Sequence, residues 1–283
     1  MNFLQKLFVK KPVTEPQLLP LDETIESDGL SIQVGALTDR GRVRDHNEDA
    51  LFTLSSTISQ DEEILPMCLY IVADGMGGHK GGREASALAV RLVSSWVMDR
   101  IFRPYLLEPD APGSRQPINQ VLNEAILTAN GKIHEACPEG GTTLTGVFVL
   151  GTNAFLAHVG DSRAYLVSRN TIRQLTTDHS LVNRLIELGQ ITPEEAKTHP
   201  QRNVLYRALG RPGNLEVDTH LQSLPAHSML LLCSDGLWGM VPENDMLTII
   251  DSAPSPQIAC DRLIAKANEN GGEDNITAVL VQM

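Results

Sequence analysis

The chain has 283 residues, of which 42% are hydrophobic and 20% charged, and it carries a formal net charge of −12 at pH 7. An acid surplus of that size excludes non-specific nucleic-acid binding, which needs a basic face to neutralise phosphates. A phosphorylated substrate stays open, because bound cations reverse the field locally.

The length suits one large domain or two small ones, and no apolar run reaches the roughly 18 residues of a membrane span. Residues 1–30 hold Pro12, Pro16 and Pro20 among scattered acids and read as a flexible leader. Lys6, Lys10 and Lys11 interrupt the apolar Phe3, Leu4, Leu7 and Phe8, so no signal peptide is expected and the chain is placed in the cytoplasm. Ile32 to Leu37 alternates as a strand, and Ala50 to Leu54 gives a second. Ser55 to Glu63 is charged and rich in turn formers. Met67 to Ala73 is apolar at every position, as a strand covered on both faces would be. Two long helices follow, over 84–102 and 117–136, each with a broad apolar face, and a Pro/Gly-rich loop from Pro109 to Pro117 separates them.

Thr143 to Leu150, Ala154 to Val159 and Ala164 to Val167 then read as strands, the last two joined by a tight turn at Gly160-Asp161-Ser162-Arg163. Leu181 to Leu188 reads as a helix. Thr192-Pro193-Glu194-Glu195 is a capping box with proline at the first helical position. Strands resume at Glu216 to Gln222 and Met229 to Cys233, and a helix from Pro256 to Asn268 ends at Gly271-Gly272. Ile276 to Gln282 closes the chain as a strand. Strands in meander-like runs, with helices whose apolar faces need a sheet beneath them, predict an α+β fold. The expected arrangement is two packed antiparallel β-sheets flanked on both sides by helices, an α/β/β/α sandwich with a short helical flap insert. Cys68, Cys137, Cys233 and Cys260 form no Cys-x-x-Cys pair and read as buried reduced thiols.

Five short acidic motifs are spread along this framework: Asn47-Glu48-Asp49, Ala73-Asp74-Gly75, Gly160-Asp161-Ser162, Ser234-Asp235-Gly236 and Glu273-Asp274-Asn275. Carboxylates and backbone carbonyls are hard oxygen ligands suited to Mg²⁺ or Mn²⁺. Brought together, their charges repel by roughly 4 kcal/mol per close pair at an effective dielectric near 20, and divalent cations hold such clusters together. Taken singly, each motif is as consistent with a surface turn. Their joint occurrence at the ends of elements that share one core favours a metal site. Gly75 would let a backbone carbonyl approach a cation, and Arg44 offers a guanidinium fork that matches phosphate oxygens. His46 and His79 lie beside acidic motifs as candidate proton donors, with a structural histidine as the alternative for each. No Gly-x-Ser-x-Gly elbow or Cys-x5-Arg loop supplies a covalent nucleophile. The indicated chemistry is metal-assisted hydrolysis.

Arg44…Asp49, Val72-Ala73-Asp74-Gly75-Met76-Gly77-Gly78, Gly141-Thr142-Thr143, Val159-Gly160-Asp161-Ser162-Arg163, Ser234-Asp235-Gly236-Leu237-Trp238 and Asp274-Asn275-Ile276-Thr277 occur in that order. Together they resemble the metal-dependent serine/threonine protein phosphatases, the protein phosphatase 2C-like (PPM) family, in its compact bacterial form. The likeness covers about residues 32–283 and implies that 31–283 is a single phosphatase domain with a flap at about 177–209. It implies two Mn²⁺ or Mg²⁺ ions bridged by Asp74, with help from the Gly75 carbonyl. Asp235 and Asp274 would bind one ion, Glu48 or Asp49 the other, and Asp161 with Asp235 a weaker third. Arg44 would orient the substrate phosphate. Where the family often carries a histidine after Asp-Gly this chain has Met76, which leaves His79 or a metal-bound water as proton donor. The implied activity is hydrolysis of phosphoserine and phosphothreonine, by a monomer, in proteins phosphorylated by a serine/threonine kinase. Two other outcomes stay open: a catalytically inactive relative that binds phosphoproteins, and a regulator phosphatase with anti-anti-sigma-type partners.

Overall fold

The computed structural model describes residues 32–60, 63–77, 80–107 and 115–283. The leader expected over 1–30 and the candidate donor His79 lie outside them. Strands and helices are numbered along the chain. One sheet runs in the order β1 (Gln33–Asp39), β13 (Ile276–Gln282), β12 (Met229–Cys233), β9 (Arg163–Ser168), β10 (Thr171–Gln174). The other runs β11 (Asp218–Ser223), β8 (Asn153–Val159), β7 (Leu144–Leu150), β4 (Glu63–Ala73), β2 (Ala50–Leu54), with β3 (Thr57–Gln60) also paired to β4. A short ladder joins β5 (Gly75–Met76) to β6 (Gly141–Thr142). Every strand pair is antiparallel.

Side-chain alternation along the strands builds three apolar layers. In β4, Leu69, Ile71 and Ala73 pack outward with α1 (Gly81–Val97) and α3 (Ile118–Ala136). Cys68, Tyr70 and Val72 point inward, where Val147, Val149, Leu230, Leu232, Val279 and Val281 of the facing strands fill the space between the sheets. Leu231, Ala278 and Leu280 face the far side and pack with α7 (Glu243–Ser252) and α8 (Pro256–Glu269). The layers are therefore helix, sheet, sheet, helix, as the apolar run at Met67–Ala73 and the apolar faces of the long helices required. Each fully buried aliphatic side chain contributes about 1.5–3 kcal/mol. All four cysteines are buried and free.

Three local expectations need correction, and one helix has no counterpart in the sequence reading. Within the 55–63 stretch, Thr57–Gln60 is a strand and not part of a turn. Thr57 pairs with Pro66 to start the β3–β4 ladder, because Ile58 finds partial cover on the helix-side core. The first helix begins at Gly81 and passes through a π-turn (Met98–Phe102), where Ile101 and Phe102 stay buried, into α2 (Arg103–Leu107). The Gly160–Arg163 turn closes no hairpin. β8 belongs to one sheet and β9 to the other, so the chain crosses between them there, with Gly160 at φ +109°. Helix α7 carries no expectation from the sequence: its Pro242 entry and acidic first turn resemble a loop, yet Met246 and Ile250 bury against the far core. The flap holds α4 (Leu181–Glu187), whose N-terminus Ser180 caps, and α5 (Pro193–Lys197), which has the expected Thr192–Glu195 capping box. Its end is stitched to β6 by reciprocal backbone bonds between Leu209 and Thr142.

Candidate active site

The inward-facing positions are apolar through the middle of the sandwich and turn polar at one end. Continuing β4 by the period of two from Tyr70 and Val72 brings Asp74 into the space between the sheets. The same count carries β12 from Leu232 to Ser234, β13 from Val279 to Thr277, β7 from Val147 to Thr145 and Thr143, and β2 from Leu51 to Asp49. Strand register thus converts a regular alternation into a buried polar cluster at one rim.

Asp49 sits at the back of that rim. Its Oδ2 accepts hydrogen bonds from the hydroxyls of Ser234 (2.7 Å) and Thr277 (2.6 Å), while its Oδ1 is buried without a partner. Asp74 is held through its backbone. Its N–H donates to Thr143 Oγ1 (2.9 Å), and its carbonyl accepts from the Thr143 N–H and the Thr142 hydroxyl, each at 2.9 Å. The Asp74 side chain is left to face the cavity. Asp235 opens the short helix α6 (Asp235–Trp238) directly after Ser234, and its Oδ1 also lacks a partner. Asp274 accepts from Arg44 (2.6 Å) through Oδ2 and from the Asn275 N–H (2.8 Å) through Oδ1. Asn275 then locks the loop that carries Arg44. Its Oδ1 accepts from the Glu48 N–H (2.8 Å), and its Nδ2 donates to the carbonyls of Arg40 and His46, both at 2.9 Å.

Asp161 lies at the crossing between the sheets. Trp238 Nε1 donates to its carbonyl (3.0 Å), and the Arg163 guanidinium stacks on the Trp238 ring at 3.6 Å. Arg163 in turn grips Asp178 through Nε (3.0 Å) and Nη2 (2.7 Å). At the flap root His179 accepts from the Gly160 N–H through Nδ1 (3.1 Å), which leaves its Nε2–H to donate to Asp218 (3.1 Å). The backbone approaches closely at Gly75, where a Cβ would fall 2.3 Å from the Gly82 carbonyl oxygen and 2.6 Å from that of Glu48. Only glycine fits.

A cavity of about 400 Å³ results, and its walls include Arg44, His46, Glu48, Asp74, Gly75, Asp161, Asp235 and Asp274. Of the residues singled out from the sequence, Asp49 alone among those described stands behind this wall rather than on it. The sequence motifs contain Ser234, Asn275 and Thr277 with no role assigned to them, and Asp178 and His179 carry no individual expectation. Hydroxyls and amides at strand ends are common, and only three-dimensional register shows these ones buried against carboxylates.

Electrostatics of the cluster are adverse. Burial, followed by the charges of Asp49, Asp235, Asp161 and Asp274, pushes the Asp74 carboxyl well above the ordinary range. Burial, then Asp235 and Asp178, does the same to Asp161. Asp235 is raised to about 6, by burial first and Asp274 second, and Asp49 to about 7, by burial against the opposing help of its two hydroxyl donors. Among the described residues no three Asp, Glu, His or Cys side chains already surround a single point as ligands. The cluster nonetheless fits divalent cations. Every donor is a hard oxygen, two buried carboxylate oxygens have no partner, and cations at the cavity would relieve the mutual repulsion.

Facing antiparallel sheets between helical layers, with carboxylates and an arginine around one rim cavity, define a metal-dependent phosphatase. Residues 40–280 match the family model described as protein phosphatase 2C. The serine/threonine phosphatase stp of Listeria welshimeri is 43% identical over 246 residues, covering 87% of this chain and 93% of that protein. The serine/threonine phosphatase structure of S. agalactiae superposes with a TM-score of 0.73 at 33% identity, over 89% of this chain and 99% of that one. The PstP catalytic domain in complex with two manganese ions does so with a TM-score of 0.70 at 32% identity, over 89% and 97%. The chain belongs to the protein phosphatase 2C family, and its activity is that of a metal-dependent protein phosphatase, a hydrolase.

Proposed function

We propose that this chain hydrolyses phosphoserine and phosphothreonine in proteins phosphorylated by a serine/threonine kinase. The observation that carries this reading is the meeting of Asp74, Asp161, Asp235 and Asp274, distant in sequence, with Arg44 on one cavity. Asp74, with the Gly75 carbonyl, would bridge two Mn²⁺ or Mg²⁺ ions. Asp235 and Asp274 would complete one site, Glu48 the other, and Asp161 with Asp235 a weaker third. When bound, such ions lower the pKa of a coordinated water toward neutrality and offset charge on the phosphoryl oxygens.

The chain's own groups supply position. Arg44, tethered to Asp274 (2.6 Å) and half exposed, presents its remaining N–H donors to the substrate phosphate. Asn275 fixes the loop that carries Arg44, and Asn275 with Thr142 and Thr143 holds the metal-side backbone, so the approach of phosphate is set before binding. Asp49, behind the wall, supports Ser234 and Thr277 and keeps both strand ends together. Among the described residues no helix is long and apolar enough to cross a membrane. The four buried free thiols support a reducing cytoplasmic setting.

The test is phosphate release from a phosphothreonine peptide with Mn²⁺, Mg²⁺ or chelator. Release that requires the cation, and that Asp74→Asn abolishes while the far-UV circular dichroism is unchanged, is the expected result. Peptide affinity without release from the wild type would instead establish a binding module, and near wild-type turnover by the variant would refute the role given to Asp74.

A further inference from the structure

A second cavity of about 430 Å³ adjoins the first and shares Met76, Asn203 and Leu205 with it. Its outer wall comes from the end of the flap and the segment beyond. Residues 198–215 contain Arg202, Arg207 and Arg211 and no Asp or Glu, although the chain as a whole carries −12. Arg207 is already paired, to Glu216 and to Asp218 (2.9 Å). Arg211 is exposed and makes no hydrogen bond or ion pair among the described residues.

Position distinguishes Arg211 from an ordinary surface arginine. Its Nε lies 3.3 Å from where a Cβ on Gly141 would stand, and Gly141 is the ladder partner of Met76, the residue after Gly75. The unpaired guanidinium therefore lies beside the β5–β6 ladder and lines the second cavity, whose wall shares Met76 with the first. A phosphorylated side chain entering the first cavity would bring its neighbours toward the second, past the shared wall of Met76, Asn203 and Leu205. Two or three residues of extended chain reach roughly 7–10 Å beyond the phosphorylated position.

We propose that the second cavity seats an acidic side chain flanking the phosphorylated residue, and that Arg211 is the residue that selects it. The proposal rests on the phosphatase reading above and extends it to a substrate class: phosphoproteins with Asp or Glu within about three residues of the phosphorylated position. Arg207, neutralised by its two carboxylates, shapes the wall and leaves the selecting charge to Arg211.

The experiment measures kcat/KM with Mn²⁺ for phosphothreonine peptides carrying Glu, Gln or Lys at each position from −3 to +3. Each rate is divided by that for p-nitrophenyl phosphate, which has no flanking residue. The wild type should prefer Glu over Gln at one position by roughly two- to fivefold, the size of a partly screened charge pair, and high salt should erase the preference. R211Q should level the series and R211E should reverse it in favour of Lys at the same position. A wild type blind to flanking charge, or an R211Q that keeps the Glu preference, overturns the proposal. Absence of cation-dependent release from every peptide is a different failure, that of the phosphatase reading itself.

Discussion

Withholding cations should make this protein less stable as pH rises through neutrality. Asp49 and Asp235 are desolvated by their surroundings, with carboxyls raised to about 7 and about 6 against an ordinary 3.8. A carboxylate raised on folding contributes stability that is complete below the unfolded value, near 4, and is lost as pH climbs through the folded value. Taken as independent groups at 1.36 kcal/mol per pKa unit, the two together cost roughly 3 kcal/mol between about pH 5.5 and 8. Asp74 and Asp161, raised by burial and by their neighbours' charges, act in the same direction. For a domain of this size, roughly 3 kcal/mol lowers Tm by about 6–12 °C. The assay is thermal and urea unfolding in chelator across that range, repeated with saturating Mn²⁺. In chelator the Tm should fall with pH, and Mn²⁺ should remove most of the fall because the ionised carboxylates then face cations. A Tm that is flat or rises with pH in chelator would refute the placement of these groups in one desolvated cluster.

Three substitutions extend the argument. Thr277→Val removes the 2.6 Å hydroxyl donor to Asp49 Oδ2. The loss of a hydrogen bond to a charged group should cost about 1.5–3 kcal/mol in urea unfolding at about pH 8, where Asp49 is ionised, with a smaller loss at about pH 5.5, where it is protonated. Asp161→Ala should leave the urea midpoint in chelator unchanged or raised, because it deletes a desolvated carboxylate, while calorimetric titration with Mn²⁺ shows one weak site fewer. Unchanged titration would remove Asp161 from the metal assignment. Gly75→Ala sets a Cβ 2.3 Å from the Gly82 carbonyl oxygen. It should lower the urea midpoint, with overpacking strain of about 1–3 kcal/mol, and reduce turnover, read as phosphate release.

The parts legible in the sequence were those where one face or one chemistry dominates. Met67–Ala73 announced a doubly covered strand, because both of its faces meet apolar layers, and Ile276–Gln282 was legible as a strand. The Thr192–Glu195 capping box is entirely local and formed as expected. The acidic motifs were visible because hard-oxygen residues recur after apolar runs. Other features depend on distant partners. The crossing at Gly160–Arg163 is an ordinary turn until β8 and β9 choose different sheets. Ser234 and Thr277 look like routine strand-end residues until register sets both against Asp49. Arg163 gave no hint of Asp178, fifteen positions on, or of the Trp238 ring beneath it. Helix α7 stayed hidden because its proline and acids outweigh two buried apolar positions in any local count.

Anomalous scattering at the manganese edge, from crystals grown with Mn²⁺, tests most directly whether these carboxylates hold catalytic cations. Two strong peaks within coordination distance of the Asp74 carboxyl oxygens, one of them also reached by Asp235 and Asp274, are expected. Manganese peaks confined to other surfaces, with none within about 3 Å of Asp74, would contradict the account.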